Sequence, residues 1–221
     1  YHGCPNVESI KKFISPDALW PYTDNGEWLL HASSPTMKPD ESYAYRIQLM
    51  ADQIKVLFGS VPDNLEEFSL LSQISQAEAK KYFIERFRIG KWRRTGIIWW
   101  NVVDGCPQFS DAVVDYYFCK KLAYNFIKRS QEMVCLMCDE PEGGNVSLVG
   151  SNDYATDKQV SFKVTDLACG DIVWEGSVVL PADSSIRIAS LDTRERTAFF
   201  LIEWIYDDIS CRNHYVTWEA P

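Results

Sequence analysis

The stretch Thr95-Gly-Ile-Ile-Trp-Trp-Asn-Val-Val103 decides how the rest of the chain is read. It is a continuous, β-prone apolar run with no polar alternation, the pattern of a strand buried on both faces in a parallel sheet covered by helices. Polarity returns at Asp104-Gly105, and Pro107 sets back the next helix. Before the run the pattern is helical. Tyr43, Ile47, Met50, Ile54 and Leu57 recur at spacings of three and four, which predicts a helix over 41–58 stopped by Gly59. Asp63 to Glu66 and Ser75 to Glu78 both fit a capping box, predicting helices over 64–73 and 76–89, the second packing Ala79, Tyr82, Phe83 and Phe87. A further helix is expected over 117–130. Helix, strand, loop, helix is α/β logic, but one strand makes no sheet, so the missing strands must come from elsewhere.

Beyond residue 130 the pattern changes. Short β-rich runs (133–137, 146–149, 160–164, 172–179, 186–188, 198–205 and 214–218) alternate with turn residues such as Pro141-Glu-Gly-Gly144 and Pro181-Ala-Asp-Ser184. Seven strands at this spacing predict an immunoglobulin-like β-sandwich. Charge divides the chain at the same place: residues 1–130 carry 16 basic and 15 acidic side chains, and residues 131–221 carry 6 and 16. Two domains are therefore expected, 1–130 and 131–221.

The 221 residues are 46% hydrophobic and 24% charged, the profile of a folded globular protein. The net charge of -9 repels polyanions and argues against nucleic acid as a partner. No run approaches the roughly 20 apolar residues of a membrane span. Seven scattered Cys make no paired framework and favour a reducing, cytoplasmic setting. Cys135-Leu-Met-Cys138 has no second pair, and His2, His31 and His214 share no ligand spacing, so no metal or cofactor is expected. There is no Gly-rich phosphate loop and no Gly-x-Ser-x-Gly elbow.

Chemistry is best sought at the C-terminal end of the 95–103 strand, where βα folds place their active loops. There Trp100 offers a flat apolar face for a sugar ring, and Asn101 and Asp104 offer polar groups for hydroxyls. Paired Trp filling space between sheet and helix is the competing reading. Asp111 and Asp115 follow within twelve residues of Asp104, but rather than forming a catalytic pair, Asp111 or Asp115 is expected to cap the helix that follows.

Gly96-Ile-Ile-Trp-Trp-Asn-Val-Val-Asp104 resembles the last barrel strand of glycoside hydrolase family 2, with Trp100, Asn101 and Asp104 in register. Ser110-Asp-Ala-Val-Val-Asp-Tyr-Tyr117 and Lys120-Lys-Leu-Ala-Tyr124 resemble the β-mannosidase branch, and Tyr1-His-Gly-Cys-Pro5 resembles the segment following that family's Glu-x-Gly nucleophile motif. Val103 and Cys106 depart from the branch, which usually has Asn and Trp there. The resemblance implies the C-terminal part of a TIM (β/α)8 barrel followed by an immunoglobulin-like β-sandwich, a fold of α/β plus all-β class. It implies a retaining β-glycoside hydrolase acting on β-linked carbohydrate, with both catalytic Glu upstream of Tyr1 and the chain alone inactive. Trp100 would be the floor of the sugar site, Asp104 and Asn101 would orient hydroxyls or neighbouring groups, and His2 would line the same pocket. A partial barrel leaves an unpaired edge, so self-association through 95–103 is expected. The alternative is a non-catalytic carbohydrate- or protein-binding module.

Overall fold

The computed structural model describes residues 1–32, 45–193 and 197–217. The chain forms two compact units: Tyr1–Lys81 with Ile98–Ile127, and Tyr82–Ile97 with Lys128–Glu219. The expected helical residues 41–44, with Tyr43, and the expected strand residue Trp218 lie outside the described residues.

The first unit is helical and irregular. Its helices are α1 (Val7–Ile10), α2 (Gly26–Leu30), α3 (Tyr45–Phe58), most of α4 (Leu65–Ile89) and the start of α5 (Leu122–Ser130). α3 buries Ile47, Met50, Ala51 and Ile54 on one stripe. It stops as expected at Gly59, whose φ of 82° is left-handed and whose N–H reaches the Lys55 carbonyl at 2.9 Å. The stripe packs with Ile10, Phe68 and Trp28, and the Trp28 ring stacks on Phe109 at 4.2 Å between centroids.

The two helices expected over 64–73 and 76–89 are one helix. Asn64 caps it, its Oδ1 accepting the Glu67 N–H at 2.9 Å, one residue later than the Asp63 to Glu66 box. Ser75 is a buried mid-helix residue. No Gly or Pro lies between 65 and 89 to break the backbone ladder, and an interior cap would have to give up bonds the helix already makes. The packed face is also corrected. Tyr82 and Phe83 are about half exposed, while Ser72, Gln73, Ser75 and Gln76 are buried. Part of the buried polar row finds partners: Ser72 Oγ accepts the Cys4 N–H at 2.9 Å, and Gln76 Nε2 donates to the Asp111 carbonyl at 2.8 Å.

The largest correction concerns 95–103. These residues form no strand, and Ile98 is 97% exposed and Val102 58%. A run of this composition is buried only when strands flank it. Among the described residues only its end finds partners, Val113 N–H on Asn101 O at 3.3 Å and Val114 N–H on Val102 O at 2.9 Å. The helix expected over 117–130 begins at Leu122. Residues 115–119 turn instead, with Phe118 at φ 60°, and the Leu122 N–H is capped by Gln73 Oε1 at 2.9 Å.

The second unit holds all seven expected strands: β1 (Val134–Cys138), β2 (Asn145–Asn152), β3 (Lys158–Asp166), β4 (Asp171–Leu180), β5 (Ser184–Asp192), β6 (Phe199–Tyr206) and β7 (Ile209–Val216). They form two antiparallel sheets, β1-β2-β5 and β4-β3-β6-β7, whose inner faces share one core. Alternation is clear in β3 and β6, where Val160, Phe162, Val164, Phe200, Ile202 and Trp204 point inward. Gly150 on β2 is required by packing, since a Cβ there would lie 2.7 Å from Leu180 Cδ2. The basic tract 82–97 is tied to the acidic strands of the same unit. Arg86 pairs with Asp139 and Glu140, Arg88 Nη2 meets Asp153 at 2.9 Å, and Lys91 Nζ lies 2.7 Å from both Asp153 and Asp183.

Candidate active site

All four side chains singled out by the sequence lie in the first unit. Trp100 is 73% exposed and joined to Asn101 by a cis peptide. Its position is fixed through its backbone: Lys80 Nζ, from α4, donates to the Trp100 carbonyl at 2.6 Å and sits 5.4 Å from the Trp99 ring centroid. A flat indole face is thus presented to solvent from a pinned main chain. Asn101 is half-buried, and its Oδ1 is buried without a hydrogen-bond donor.

Asp104 is buried. Its Oδ1 accepts from Gln108 Nε2 at 2.7 Å and from Ser110 Oγ at 2.5 Å, while Oδ2 is buried with no donor. The main chain is paired as well, Asp104 N–H on Val114 O at 3.1 Å. Burial raises the Asp104 carboxyl above the usual carboxylate range, and the cation of Lys121 and the bonds from Ser110 and Gln108 hold that rise back. Lys121 is fully buried. Its Nζ donates to the Gly3 carbonyl at 2.7 Å and to the Ser110 carbonyl at 3.4 Å. Burial lowers its pKa, with Asp104 the leading opposing charge.

His2 is 1% exposed. Its Nε2 lies 3.1 Å from Arg46 Nη1, and its Nδ1 lies 3.3 Å from Asp111 Oδ1 at an angle that makes no hydrogen bond. Beside a guanidinium, which can only donate, Nε2 must be the acceptor, so the neutral ring carries its proton on Nδ1, toward Asp111. Burial lowers the His2 pKa to about 4, Asp111 opposing and Arg46 reinforcing the shift. Arg46 Nη1 lies 3.9 Å from Asp111 Oδ2, and the Asp111 carbonyl takes the Gln76 side chain.

The sequence misread two acids here. Asp115 does cap, but it caps a turn, its Oδ1 accepting the N–H groups of Tyr117 at 2.9 Å and Cys119 at 3.0 Å. Asp111 caps nothing through its side chain and faces His2 and Arg46. An acid a few residues before a helix carries a cap signal whether or not it caps, and neither the Arg46 nor the His2 partnership is visible in local sequence. Lys121 was missed for the same reason: a Lys in a Lys-Lys pair reads as surface.

The N-terminal segment is where these groups meet. The Gly3 N–H donates to the Ser110 carbonyl at 3.3 Å, the Gly3 carbonyl accepts from Lys121, and Cys4 N–H reaches Ser72. Gly3 is the residue that fits, because a Cβ there would lie 2.3 Å from Gln76 Oε1. The arrangement joins a rigid, buried polar cluster to an exposed aromatic platform. Among the described residues no group of three or more His, Cys, Asp or Glu side chains is arranged to hold a metal ion.

No family model matches the chain. Over 128 residues, 55% of this chain and 14% of the relative, it is 28% identical to an exo-beta-D-glucosaminidase of Arthroderma benhamiae. Its fold is similar to that of a beta-D-mannosidase from Dictyoglomus thermophilum, with a TM-score of 0.79 and 23% identity over 97% of this chain and 26% of that one. It is also similar to the Amycolatopsis orientalis exo-chitosanase in complex with PNP-beta-D-glucosamine, with a TM-score of 0.74, 17% identity and the same two coverages. The chain thus spans about a quarter of the length of these enzymes and a seventh of the fungal relative.

Proposed function

We propose that the chain is the C-terminal part of a retaining β-glycoside hydrolase of family 2, of the β-mannosidase or exo-β-glucosaminidase kind. In this reading the first unit closes a (β/α)8 barrel, and the second is an immunoglobulin-like domain that supports it. The observation that carries the proposal is the fold similarity over 97% of the chain to a β-mannosidase, joined to 28% identity over 128 residues with an exo-β-glucosaminidase.

The site residues take these roles. Trp100 is the floor beneath the reacting sugar, its exposed ring matched to the apolar C–H face of a pyranose. Asp104 acts on neighbouring groups, since Gln108 and Ser110 already occupy one oxygen and fix the loop. Asn101 carries a buried acceptor without a donor beside Trp100, and its role is to orient hydroxyls or neighbouring groups. His2 holds the N-terminal segment between Arg46 and Asp111. Retaining hydrolysis needs a nucleophilic carboxylate and an acid/base roughly 5–5.5 Å apart, and no residue of this chain is given either role. Seven free thiols support a reducing, cytoplasmic setting.

The test is activity. The 221 residues alone should hydrolyse no aryl β-glycoside, whereas a longer protein that contains them with the remaining barrel strands should do so. Trp100→Ala in that protein should lower kcat/KM by roughly 100-fold, the size expected when substrate positioning is lost. Turnover by the 221 residues alone would overturn the assignment of both catalytic groups to other residues, and full activity of the Trp100→Ala protein would remove Trp100 from the site.

A further inference from the structure

The second unit contains a cleft unrelated to the Trp100 surface. Its volume is about 380 Å³, and its wall is built from Arg86, Gly90, Lys91, Arg93, Arg94 and a single carboxylate, Asp139. Four cations around one small space are costly unless something neutralises them, and the acids of this unit do so only in part. Arg86 is matched by Asp139 and Glu140, and Lys91 by Asp153 and Asp183. Asp139, the one acid on the wall, is paired with Arg86, and the same oxygen, Oδ1, accepts the Glu140 N–H at 2.7 Å. Arg93 and Arg94 have no carboxylate within ion-pair distance among the described residues.

The Arg94 side chain and the Arg93 backbone are also held in place. The tight turn after α4 is closed by the Arg93 and Arg94 N–H groups, both on the Gly90 carbonyl at 3.0 and 2.9 Å. Trp92, at φ 68°, is anchored by its Nε1 on the Asp183 carbonyl at 3.0 Å. Arg94 lies over the Phe87 ring at 5.7 Å and gives Nη1 to the Arg86 carbonyl at 3.2 Å. Two of the carbonyls at the end of α4, which would otherwise repel an anion, are already bonded: Arg86 O takes the Gly90 N–H, and Arg88 O takes Ser185 Oγ at 2.8 Å. Remaining guanidinium N–H donors of Arg93 and Arg94 are left facing solvent.

We infer that this cleft binds a tetrahedral oxyanion, a phosphate or sulfate group, with Arg93 and Arg94 as its principal donors and Arg86 and Lys91 supplying field. Planar guanidinium forks match two oxygens of such a group at once, which a monovalent spherical anion cannot exploit. The site is a positive spot on an otherwise acidic unit, so it selects small anions and sheds long polyanions, which the surrounding acids repel.

Calorimetric titration of the 221-residue chain with sodium sulfate and with inorganic phosphate, against sodium chloride at equal ionic strength, tests this. Saturable one-site binding at least tenfold tighter than chloride is expected, lost at least tenfold in Arg93→Gln/Arg94→Gln and retained in Arg187→Gln. Both substituted residues are exposed, and the single Arg93→Gln variant, expected to lose part of the affinity, guards against misfolding of the double one. Glucose 6-phosphate separates the sources of the group: tighter binding than inorganic phosphate means a sugar ester is the ligand, and equal or weaker binding means the free ion. Sulfate and phosphate indistinguishable from chloride, or a double variant that binds as well as the parent, overturns the inference.

Discussion

The two units bury polar groups for different ends. In the sandwich, buried polar side chains complete the fold. Asn152 Nδ2 donates to the carbonyls of Thr156, Leu180 and Pro181 and its Oδ1 accepts the Tyr154 N–H, so one residue ties a strand end to two loops. Asp166 does the same at the end of β3, accepting the N–H groups of Ala168 and Phe199. In the first unit a buried cation, Lys121, is set among Asp104, Asp115 and Asp111, and the buried acceptors Asp104 Oδ2, Asp115 Oδ2, Asn101 Oδ1 and Gln76 Oε1 have no donor. Unfilled buried acceptors cost stability. Proteins tolerate such groups where something other than folding uses them, and here they gather in the unit that carries the exposed Trp100.

The largest expected effect tests that contrast at Lys121. Replacing it with Met removes the cation but leaves Asp104 and Asp115 buried, and breaking such a cluster from one side costs about 3–5 kcal/mol. Hydrogen exchange resolved by residue should show the loss at Gly3, Ser110 and the start of α5, with β2 and β3 protected as before. A uniform loss across both units would mean that the interior charge is not a local device. The matching change in the sandwich is Leu148→Ala, a fully buried core residue of β2. It should cost about 2–5 kcal/mol by cavity formation, with exchange rising in the strands and not around Lys121.

How much of this was legible follows the same division. Strands announce themselves through side-chain pattern and turn chemistry, both local, so six sandwich strands stand close to where Val160 to Val164, Ala198 to Ile205 and their neighbours place them, while β7 begins at Ile209, five residues ahead of the expected 214–218. In the first unit the deciding facts are non-local. Ile97 to Val103 has the composition of a buried strand, but burial depends on neighbours that composition does not specify. Ser75 to Glu78 has the spacing of a helix start, but Gln76 and Ser72 serve as mid-helix bonds to residues 35 and 68 positions away. The candidate site was half legible for the same reason. Trp100, Asn101 and Asp104 lie on one short segment and could be named from it. Arg46, Asp111 and Lys121 come together with His2 and Gly3 only when the chain is folded.

A smaller effect separates the units by pH. The folded pKa of His2, about 4, lies below the ordinary value of 6.5, so between these values the unfolded chain holds more proton than the folded one. The contribution of His2 to stability is therefore complete above about pH 6.5 and is lost as the pH falls toward 4. The protection of the Gly3 and Cys4 amides, taken relative to their intrinsic exchange rates at each pH, should fall between pH 7 and pH 4.5, and His2→Gln should flatten that response. An identical response in the variant would assign the acid sensitivity to other groups. The exposed run through Ile98 and Val102 gives a further handle on the same unit. Self-association in sedimentation at high concentration is expected, and Ile98→Glu should weaken it about tenfold; a clean monomer in the parent chain would show that this exposed apolar run does not associate.

The smallest effect belongs to the outer face of the sandwich. Glu175, Lys163, Glu203 and Arg212 lie opposite one another across β4, β3, β6 and β7, a row of alternating sign. Lys163 Nζ meets Glu203 at 3.1 Å with both side chains nearly half exposed, so solvent screens the pair and its worth is at most about 1 kcal/mol. Lys163→Ala should accordingly cost a few tenths of a kcal/mol to about 1 kcal/mol, an amount that shrinks in high salt. Lys163→Glu should cost more, because it sets three acids side by side. A reversal of that order would show that the row does not act through charge. If the order holds, this row acts through screened surface charge and costs little to lose, whereas Lys121 and the acids around it act from the interior of the first unit, where a lost charge is felt.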